Sequence, residues 1–311
     1  MKILVLLEDN HGMIHRMSKE AIAAAQEIGD SVIALAIGSN AQSLADELSD
    51  IALDEVIIVN HELVSNYNAD GYSEVVKQVI EVECPNMIVS GHSYQTRDFV
   101  PRVSAKLDIP FIPDIISLDN GYIKQVLNAK LNATCSTNSE RLILSFQSSA
   151  FNSEDIQLGS CPSRIFDVNL NSENIRSTSE TPFQETAGDV DLENAELLVS
   201  VGRGIEKKEN IQLAFELAKV MGAEIAASRP IVDSGWIESF RQVGSSGNNV
   251  SPKLYFAIGI SGAIQHVVGM KGSKFILAIN KDKDAPIFEI ADYAVIGDVI
   301  EILPKLTEAL S

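Results

Sequence analysis

Short apolar runs alternate with amphipathic segments along the first hundred residues, and this alternation constrains the fold more than any other feature. The runs predict strands, and the segments between and after them predict helices. Three of the four runs are continuously apolar, which is typical of parallel strands covered on both faces. We therefore expect a doubly wound, mostly parallel sheet with right-handed crossovers. The predicted strands are Lys2–Glu8, Val32–Ile37, Glu55–Asn60 and Met87–Ser90, and the predicted helices are Ser18–Ile28, Ala41–Leu48, Tyr72–Val82 and Thr96–Leu107.

The pattern then changes twice before the middle of the chain ends. Gly121–Ser136 and Arg141–Phe146 alternate in hydrophobicity like antiparallel strands, so we expect them to extend the first sheet. Asn169–Glu196 is rich in Asn, Ser, Thr and Glu and poor in large apolar residues, which predicts a mobile connector. These changes divide the chain into an N-terminal α/β domain, residues 1–188, and a C-terminal domain, residues 189–311.

The alternation of strand and helix restarts in the C-terminal domain, which predicts a second, Rossmann-like α/β unit. Its central stretch is Leu254–Asn280, a strand, a Ser-Gly turn, a helix start and a second strand. The other predicted elements are the strands Leu197–Val201, Glu224–Ala227 and Tyr293–Ile296, the helix Asn210–Met221 and a short helix near Lys305–Leu310.

Charge and cysteine usage exclude several classes of function. The 311 residues carry a formal net charge of −19, which disfavours nucleic-acid binding and docking on anionic lipid. The three cysteines are far apart and form no disulfide or metal pattern. The chain opens on a strand without a targeting pattern, and no apolar run reaches membrane-spanning length. We expect a cytoplasmic, prokaryotic protein without direct membrane insertion.

Hydrolytic and metal-dependent chemistry find no support in the sequence. His11, His15, His61 and His92 lie in the first half without metal-ligand spacing, so no metal site is predicted. No nucleophile elbow is recognisable. The absence of a GxGxxG fingerprint with a downstream acidic residue counts against an NAD-dependent enzyme.

Polar motifs follow the predicted strands of the C-terminal domain and should meet at one edge of its sheet. The Ser261-Gly262 turn before Gln265 and His266 predicts an anion site with an imidazole beside it. Each motif alone has a structural alternative: a tight turn with a solvated arginine, a surface ion pair, an ordinary loop or a structural histidine. Their convergence favours a phosphate-bearing ligand. The other motifs are Gly202-Arg203-Gly204, Ser228-Arg229-Pro230, Gln242–Gly247, Asn280 and Asp298.

Together these motifs resemble the alpha subunit of electron transfer flavoproteins. The sequence LYFAIGISGAIQH at Leu254–His266, followed by ILAIN, is preceded by GRG, ASRP and QVGSSG. Two first-domain segments, PRVSAKL at Pro101–Leu107 and PDIISL at Pro113–Leu118, are also similar to that family, so the resemblance covers nearly the whole chain.

The resemblance implies a redox carrier rather than an enzyme in its own right. One FAD per heterodimer would lie on the C-terminal domain, and a beta subunit would complete the flavin site and bind AMP. Electrons would pass from dehydrogenases, such as the acyl-CoA dehydrogenases of fatty acid beta-oxidation or amine dehydrogenases, through an anionic flavin semiquinone. The acceptor would be a membrane quinone oxidoreductase or another protein.

The resemblance also implies roles for individual residues. His266 would face flavin O2, Arg229 would lie over the ring, and Ser246 would be near N5. Two positions depart from the family: Ser245 and Gln147 replace residues that are commonly glutamine and arginine. The other implied contacts are Arg203, Ser261, Gly262, Ala263, Ile264 and Gln265 with the phosphates, ribityl chain and ring edge, Ser228, Asn280 and Asp298 with the adenosine side, and Val243, Gly244, Ser245 and Ser246 with the isoalloxazine.

Two other functions remain open at this point. The chain could be a flavin- or nucleotide-binding regulatory or structural subunit without redox turnover. It could also be a subunit of a bifurcating flavoprotein whose partner carries a second FAD.

Overall fold

The computed structural model describes residues 1–127, 131–179, 191–192 and 195–310. They belong to two compact units, Met1–Glu185 and Thr186–Ser311, which we call the N-terminal and C-terminal units. The domain boundary expected between residues 188 and 189 lies outside the described residues. No helix of the described ranges is both long and apolar enough to cross a membrane.

The N-terminal unit is built on one large sheet. Its described strands are β1 Lys2–Leu6, β2 Asp9–Asn10, β3 Met13–Ile14, β4 Ser31–Ile37, β5 Glu55–Val59, β6 Met87–Gly91, β7 Phe111–Ser117, β8 Tyr122–Val126, β9 Leu131–Cys135, β10 Leu142–Phe146 and β11 Ser163–Ile165. Its described helices are α1 Arg16–Ile28, α2 Ala41–Glu47, α3 Ala69–Glu83 and α4 Tyr94–Leu107. In the described part of this unit, the order across the sheet is β11-β5-β4-β1-β6-β10-β7-β8-β9.

The central strands are buried on both faces, which explains their continuous apolar runs. In β1, Ile3 and Val5 enter one hydrophobic core, whereas Leu4 enters the core on the opposite face. Successive side chains of a strand point to opposite faces, so only a sheet covered on both sides can bury such a run. The expected mixed α/β fold with a mostly parallel sheet is confirmed.

The predicted antiparallel pairing is right for β8 with β9 but wrong for Arg141–Phe146. β10 pairs in parallel with both β6 and β7 and is buried along its whole length. The misleading residue is Ser145, whose polarity makes the run look alternating. Ser145 is fully buried, and its Oγ lies 2.8 Å from Nδ1 of His92. A buried hydroxyl with a partner is compatible with a central strand.

The first part of the predicted connector is bound to the N-terminal unit. The main-chain N–H of Asn169 donates to Oε1 of Gln78 at 3.0 Å. Further on, the N–H groups of Arg176 and Ser177 donate to Oδ2 of Asp70 at 3.0 and 3.3 Å. Residues 169–177 are therefore held in place, contrary to the expectation of a mobile connector that begins at residue 169, and residues 180–190 lie outside the described ranges.

The C-terminal unit contains a smaller sheet in which every described strand is parallel to its neighbours. The order within the described ranges is β13-β12-β14-β15-β16. The strands are β12 Leu197–Val201, β13 Glu224–Ala227, β14 Leu254–Ile258, β15 Phe275–Asn280 and β16 Tyr293–Ile296. The helices are α5 Ile211–Met221, α6 Arg229–Asp233, α7 Ile264–Val267 and α8 Val299–Leu310.

The strand order places a topological switch between β12 and β14. The chain moves from β12 outward to β13, and then returns to the other side of β12 to form β14. Ligands of open α/β sheets bind outside the carboxyl ends of the strands at such a point. At this edge Gly202 and Gly259 approach so closely that a Cβ built on Gly202 would lie 2.4 Å from the Gly259 carbonyl oxygen. Only glycine fits there.

Candidate functional site

A cavity of about 660 Å³ opens at the switch point of the C-terminal unit. Pockets that hold small ligands and cofactors commonly enclose about 300–1,000 Å³. Gly262, Ile264 and Asp298 do not line it. The predicted site residues that do are Arg203, Ser228, Arg229, Val243, Gly244, Ser245, Ser246, Ser261, Ala263, Gln265, His266 and Asn280.

The main chain forms the floor of the cavity where β12 and β14 end. The N–H of Gly202 donates to the Ile258 carbonyl at 2.8 Å, and the N–H of Gly204 donates to the Gly259 carbonyl at 2.9 Å. These bonds bring two strand ends together without side chains between them. A ligand can therefore lie directly against peptide groups at this point.

Two arginines and two aspartates line the cavity, and the arginines differ in their surroundings. Within the described residues, the guanidinium of Arg203 has no ion-pair or hydrogen-bond partner. Arg229 begins α6, and its Nε lies 3.3 Å from Oδ2 of Asp233. Both side chains of this pair are about two-thirds exposed, at 67% and 62%. Arg203 is therefore free to fork onto an anion, whereas Arg229 already shares its charge.

Main-chain hydrogen bonds hold the Gly/Ser loop against the end of β13 and against α7. The Val243 N–H donates to the Ala227 carbonyl at 2.9 Å, and the Ser245 N–H donates to the Gln265 carbonyl at 2.7 Å. The side-chain amide of Gln242 donates to both the carbonyl and the Oγ of Ser246, each at 3.1 Å. The loop is thus fixed, and Ser246 has a defined position at the cavity wall.

The helix predicted after the Ser-Gly turn is a single turn. α7 contains only Ile264–Val267, so it has too few aligned peptides for a substantial macrodipole. What it offers instead is main-chain donors. The N–H groups of Ile264 and Gln265, like those that open any helix, have no intrahelical acceptor.

His266 lies in this turn and is buried, with 6% of its surface exposed. Its Nε2 is 2.9 Å from the hydroxyl of Tyr255 on β14. Burial lowers the pKa of His266 to about 4, and the Val243 backbone, which lies near the ring without meeting hydrogen-bond geometry, acts in the opposite direction. The imidazole is therefore neutral at pH 7. Nδ1 is buried and has no partner that meets hydrogen-bond geometry in the described part of the chain.

Tyr255 is a site residue that sequence reasoning missed. It lies within the apolar run of β14, where an aromatic side chain looks like an ordinary core residue. Its hydroxyl is the one polar atom among the side chains of Leu254–Ile258, and that was the available signal. Asp233 was missed because it occurs four residues after Arg229, on a short helix that was not predicted.

Three further predicted residues lie at the same sheet edge, and the side chains of two of them, Asn280 and Asp298, have hydrogen-bond partners there. The side-chain amide of Asn280 donates to the Ile260 carbonyl at 2.9 Å, while its Oδ1 accepts from the Asp282 N–H. Ser228 is buried where β13 ends and α6 begins. Asp298 accepts from the Ile300 N–H at 2.9 Å at the start of α8, so a role in ligand binding remains a prediction. Groups of acidic, histidine or cysteine side chains suited to a metal are absent from the described residues.

Comparison with known proteins identifies both units. The family described as "Electron transfer flavoprotein domain" matches residues 3–169, and "Electron transfer flavoprotein FAD-binding domain" matches residues 191–271. The chain is 37% identical over 314 residues to electron transfer flavoprotein subunit alpha of Bacillus subtilis, which covers 99% of this chain and 96% of the relative.

Two further relatives extend the comparison. Electron transfer flavoprotein subunit alpha of Thermoanaerobacterium thermosaccharolyticum is 35% identical, and the match covers 99% of this chain and 97% of the relative. A protein of Anaerotignum propionicum named acryloyl-CoA reductase electron transfer subunit beta is 33% identical, with coverage of 99% and 95%. The chain therefore belongs to the family of electron transfer flavoprotein alpha subunits, and its role is that of an electron-transfer flavoprotein.

Proposed function

We propose that this chain binds FAD in the cavity of its C-terminal unit and acts as a redox carrier. The observation that carries the proposal is the position of the cavity, at the topological switch where glycine main chain forms the floor. A flat or extended polar ligand fits such a floor because peptide groups approach it without steric hindrance. The neutral His266 adds a buried polar atom, Nδ1, that has no partner of good hydrogen-bond geometry in the described part of the chain.

The chemistry of the lining residues suggests which part of FAD each group of them would contact. Arg203, the exposed N–H groups of α7 and the Gly202–Gly204 turn suit the negatively charged diphosphate. Arg229, Ser246 and His266 suit the ring, where a positive charge and hydrogen-bond donors stabilise added electron density. Ser228 and Asn280 suit the adenosine side. FAD, when bound, accepts and releases electrons, while this chain's residues hold it and set its reduction potential.

We further propose that a beta subunit completes the site and binds AMP, with one FAD per heterodimer. Arg203 and Arg229 in the cavity wall are both exposed in this chain, which fits a flavin site that a second subunit closes. Dehydrogenases would be the donors and a quinone oxidoreductase the acceptor. Contacts with these proteins would be small and transient, as is usual for redox encounters.

A second candidate function follows from the relative named as a subunit of acryloyl-CoA reductase. This chain would then deliver electrons within an acyl-CoA reductase complex, and its partner would carry a second FAD in place of AMP. The nucleotides released from the denatured complex distinguish the two: FAD and AMP in equal amounts support the carrier, and two FAD per complex support the reductase subunit.

Co-expression with the beta partner tests the FAD site. The complex should be a yellow 1:1 heterodimer, and Arg203→Ala should weaken FAD binding about tenfold or more, the equivalent of one charge-assisted hydrogen bond. Lys219→Ala, which removes an exposed cation from α5, is the matched control and should bind FAD normally. A colourless wild-type complex that takes up no added FAD would refute the proposed FAD site. Stoichiometric FAD bound to this chain without a partner would refute the proposal that the site is shared with a beta subunit.

A further inference from the structure

A buried hydroxyl lies behind the one histidine of the cavity. Tyr255 is completely buried in β14, and its hydroxyl is 2.9 Å from Nε2 of His266. The two rings also meet edge to face, with centroids 6.1 Å apart. Tyr255 belongs to the core on the sheet face opposite α5 and α8, so its side chain is fixed by packing before any ligand binds.

The direction of this hydrogen bond can be inferred from the partners that each atom has. Among the described residues, Nε2 is the one acceptor that meets hydrogen-bond geometry with the Tyr255 hydroxyl. Burial raises the pKa of Tyr255 well above its ordinary value, so the hydroxyl keeps its proton. A buried hydroxyl hydrogen left without an acceptor would cost about 1–3 kcal/mol. The tyrosine therefore donates, and Nε2 accepts.

Ser200 fits the same arrangement from the neighbouring strand. Leu198 pairs with Tyr255 in the register of β12 and β14, so Ser200, two residues further on, faces the same side of the sheet. Its Oγ is buried and has no partner of good geometry in the described ranges. The serine hydroxyl nevertheless lowers the pKa of Tyr255, against the effect of burial, which fits its place beside the phenol on the same face of the sheet.

We propose that Tyr255 is a positioning residue that fixes the tautomer of His266, so that Nε2 is unprotonated and Nδ1–H is the donor offered to the ligand. A neutral imidazole carries one N–H, and the partner of one nitrogen decides where it is. Because Tyr255 occupies Nε2, only Nδ1 remains for a second hydrogen bond. The assignment of that donor to the flavin edge rests on the proposed function, whereas the tautomer itself does not.

The tautomer can be measured directly by nitrogen-15 NMR of histidine-labelled full chain at pH 7. Long-range nitrogen–proton spectra distinguish protonated from unprotonated ring nitrogens, and His266→Gln assigns the signals among the five histidines. Wild type should show a protonated Nδ1. Tyr255→Phe removes only the hydroxyl and should move the proton to Nε2, while Ser200→Ala should shift the population in the same direction by less. Tyr293→Phe, on an exposed tyrosine of β16, should change nothing.

The role toward the cofactor has its own measurement on the complex with the beta partner. Tyr255→Phe should remain yellow but bind FAD about tenfold more weakly, the equivalent of one hydrogen bond. A protonated Nε2 in wild type, or unchanged His266 signals in Tyr255→Phe, would overturn the tautomer assignment. A shifted tautomer with unchanged FAD affinity would overturn the flavin contact. A wild-type complex that binds no FAD would refute the proposed function while leaving the tautomer result standing.

Discussion

Arg229 and Asp233 lie one turn apart on α6, with Nε of the arginine 3.3 Å from Oδ2 of the aspartate, and both side chains line the cavity. The arginine expected to lie over the flavin is therefore one half of an ion pair. Exposed pairs of this kind contribute about 0.2–1 kcal/mol. The electrostatic influence of Arg229 on a bound ring is thus adjustable through its neighbour.

Replacing Arg229 should lower the first reduction potential of bound flavin. Arg229→Lys keeps a charge but loses the planar fork, and Arg229→Ala removes both, so the potential should fall in the order wild type, lysine, alanine. Loss of a partly exposed charge near the ring costs about 1 kcal/mol, or roughly 40 mV for one electron. Spectroelectrochemical titration measures the change. His266→Ala should lower the same potential and also loosen FAD. If both alanine variants keep the wild-type first reduction potential, Arg229 and His266 do not tune the flavin and their roles are structural.

Asp233→Asn should have the opposite effect. The variant removes the negative charge that offsets Arg229, so the first potential should rise by about 10–40 mV. Because both side chains are largely exposed, the shift should shrink as salt is added. Glu216→Gln, which removes an equal charge from α5, is the control. A fall in potential, or an equal rise in the control, would contradict the pairing as the cause.

The buried His266 should make the C-terminal unit less stable in acid. Its pKa is about 4 when folded and 6.5 ordinarily, so the unfolded chain binds more protons between these values. Stability is therefore complete above pH 6.5 and is lost as the pH falls towards 4, by about 3 kcal/mol for this group. Trp236, the single tryptophan, packs against the α5 and α8 core, so its fluorescence in urea reports on this unit. His266→Gln should reduce the change in the free energy of unfolding between pH 6.5 and 4, whereas His11→Gln should leave that change as in wild type. Equal pH profiles for wild type and His266→Gln would count against a depressed pKa.

The contact between Asp70 and residues 176–177 should protect this part of the chain. Hydrogen bonds from Arg176 and Ser177, together with the nearby Arg102, hold the pKa of Asp70 below its ordinary value. Asp70→Ala should raise hydrogen exchange of the Arg176 and Ser177 amides and expose residues 169–177 to proteases. Asp98→Asn removes another partner of Arg102 but contacts neither amide, so it should change neither the exchange of these amides nor the protease sensitivity. Rapid exchange of both amides in wild type would rule the contact out.

The location of the site could be predicted from the sequence, because the carboxyl ends of parallel strands meet at one edge. Arg203, Arg229 and His266 follow three different strands and line one cavity for that reason. The predicted surface ion pair of Arg229 is also present, alongside its place in the cavity wall. What the pattern could not supply was side-chain direction.

Tyr255 and Ser145 show why side-chain direction was out of reach. Each residue places one hydroxyl in a buried strand. The hydroxyl of Tyr255 meets His266 and that of Ser145 meets His92, and neither histidine belongs to the same strand as its partner. A hydrophobicity pattern records whether a residue is apolar, but it does not record which distant group satisfies a hydrogen bond. The missed tautomer partner and the misassigned direction of β10 have this common origin.

The floor formed by the main chain of Gly202, Gly204 and Gly259 makes cofactor binding partly independent of the side chains that would tune the flavin potential. Peptide dipoles cannot be removed by changing a side chain, so the part of phosphate binding proposed for the main chain, unlike the part proposed for Arg203, would persist through substitutions in the cavity wall. The groups proposed to face the ring, Arg229 and His266, are side chains, as is Asp233 beside Arg229, so each can be exchanged separately. Changes at Arg229 and Asp233 should therefore shift the flavin potential towards different donors and acceptors while the main-chain floor stays unchanged.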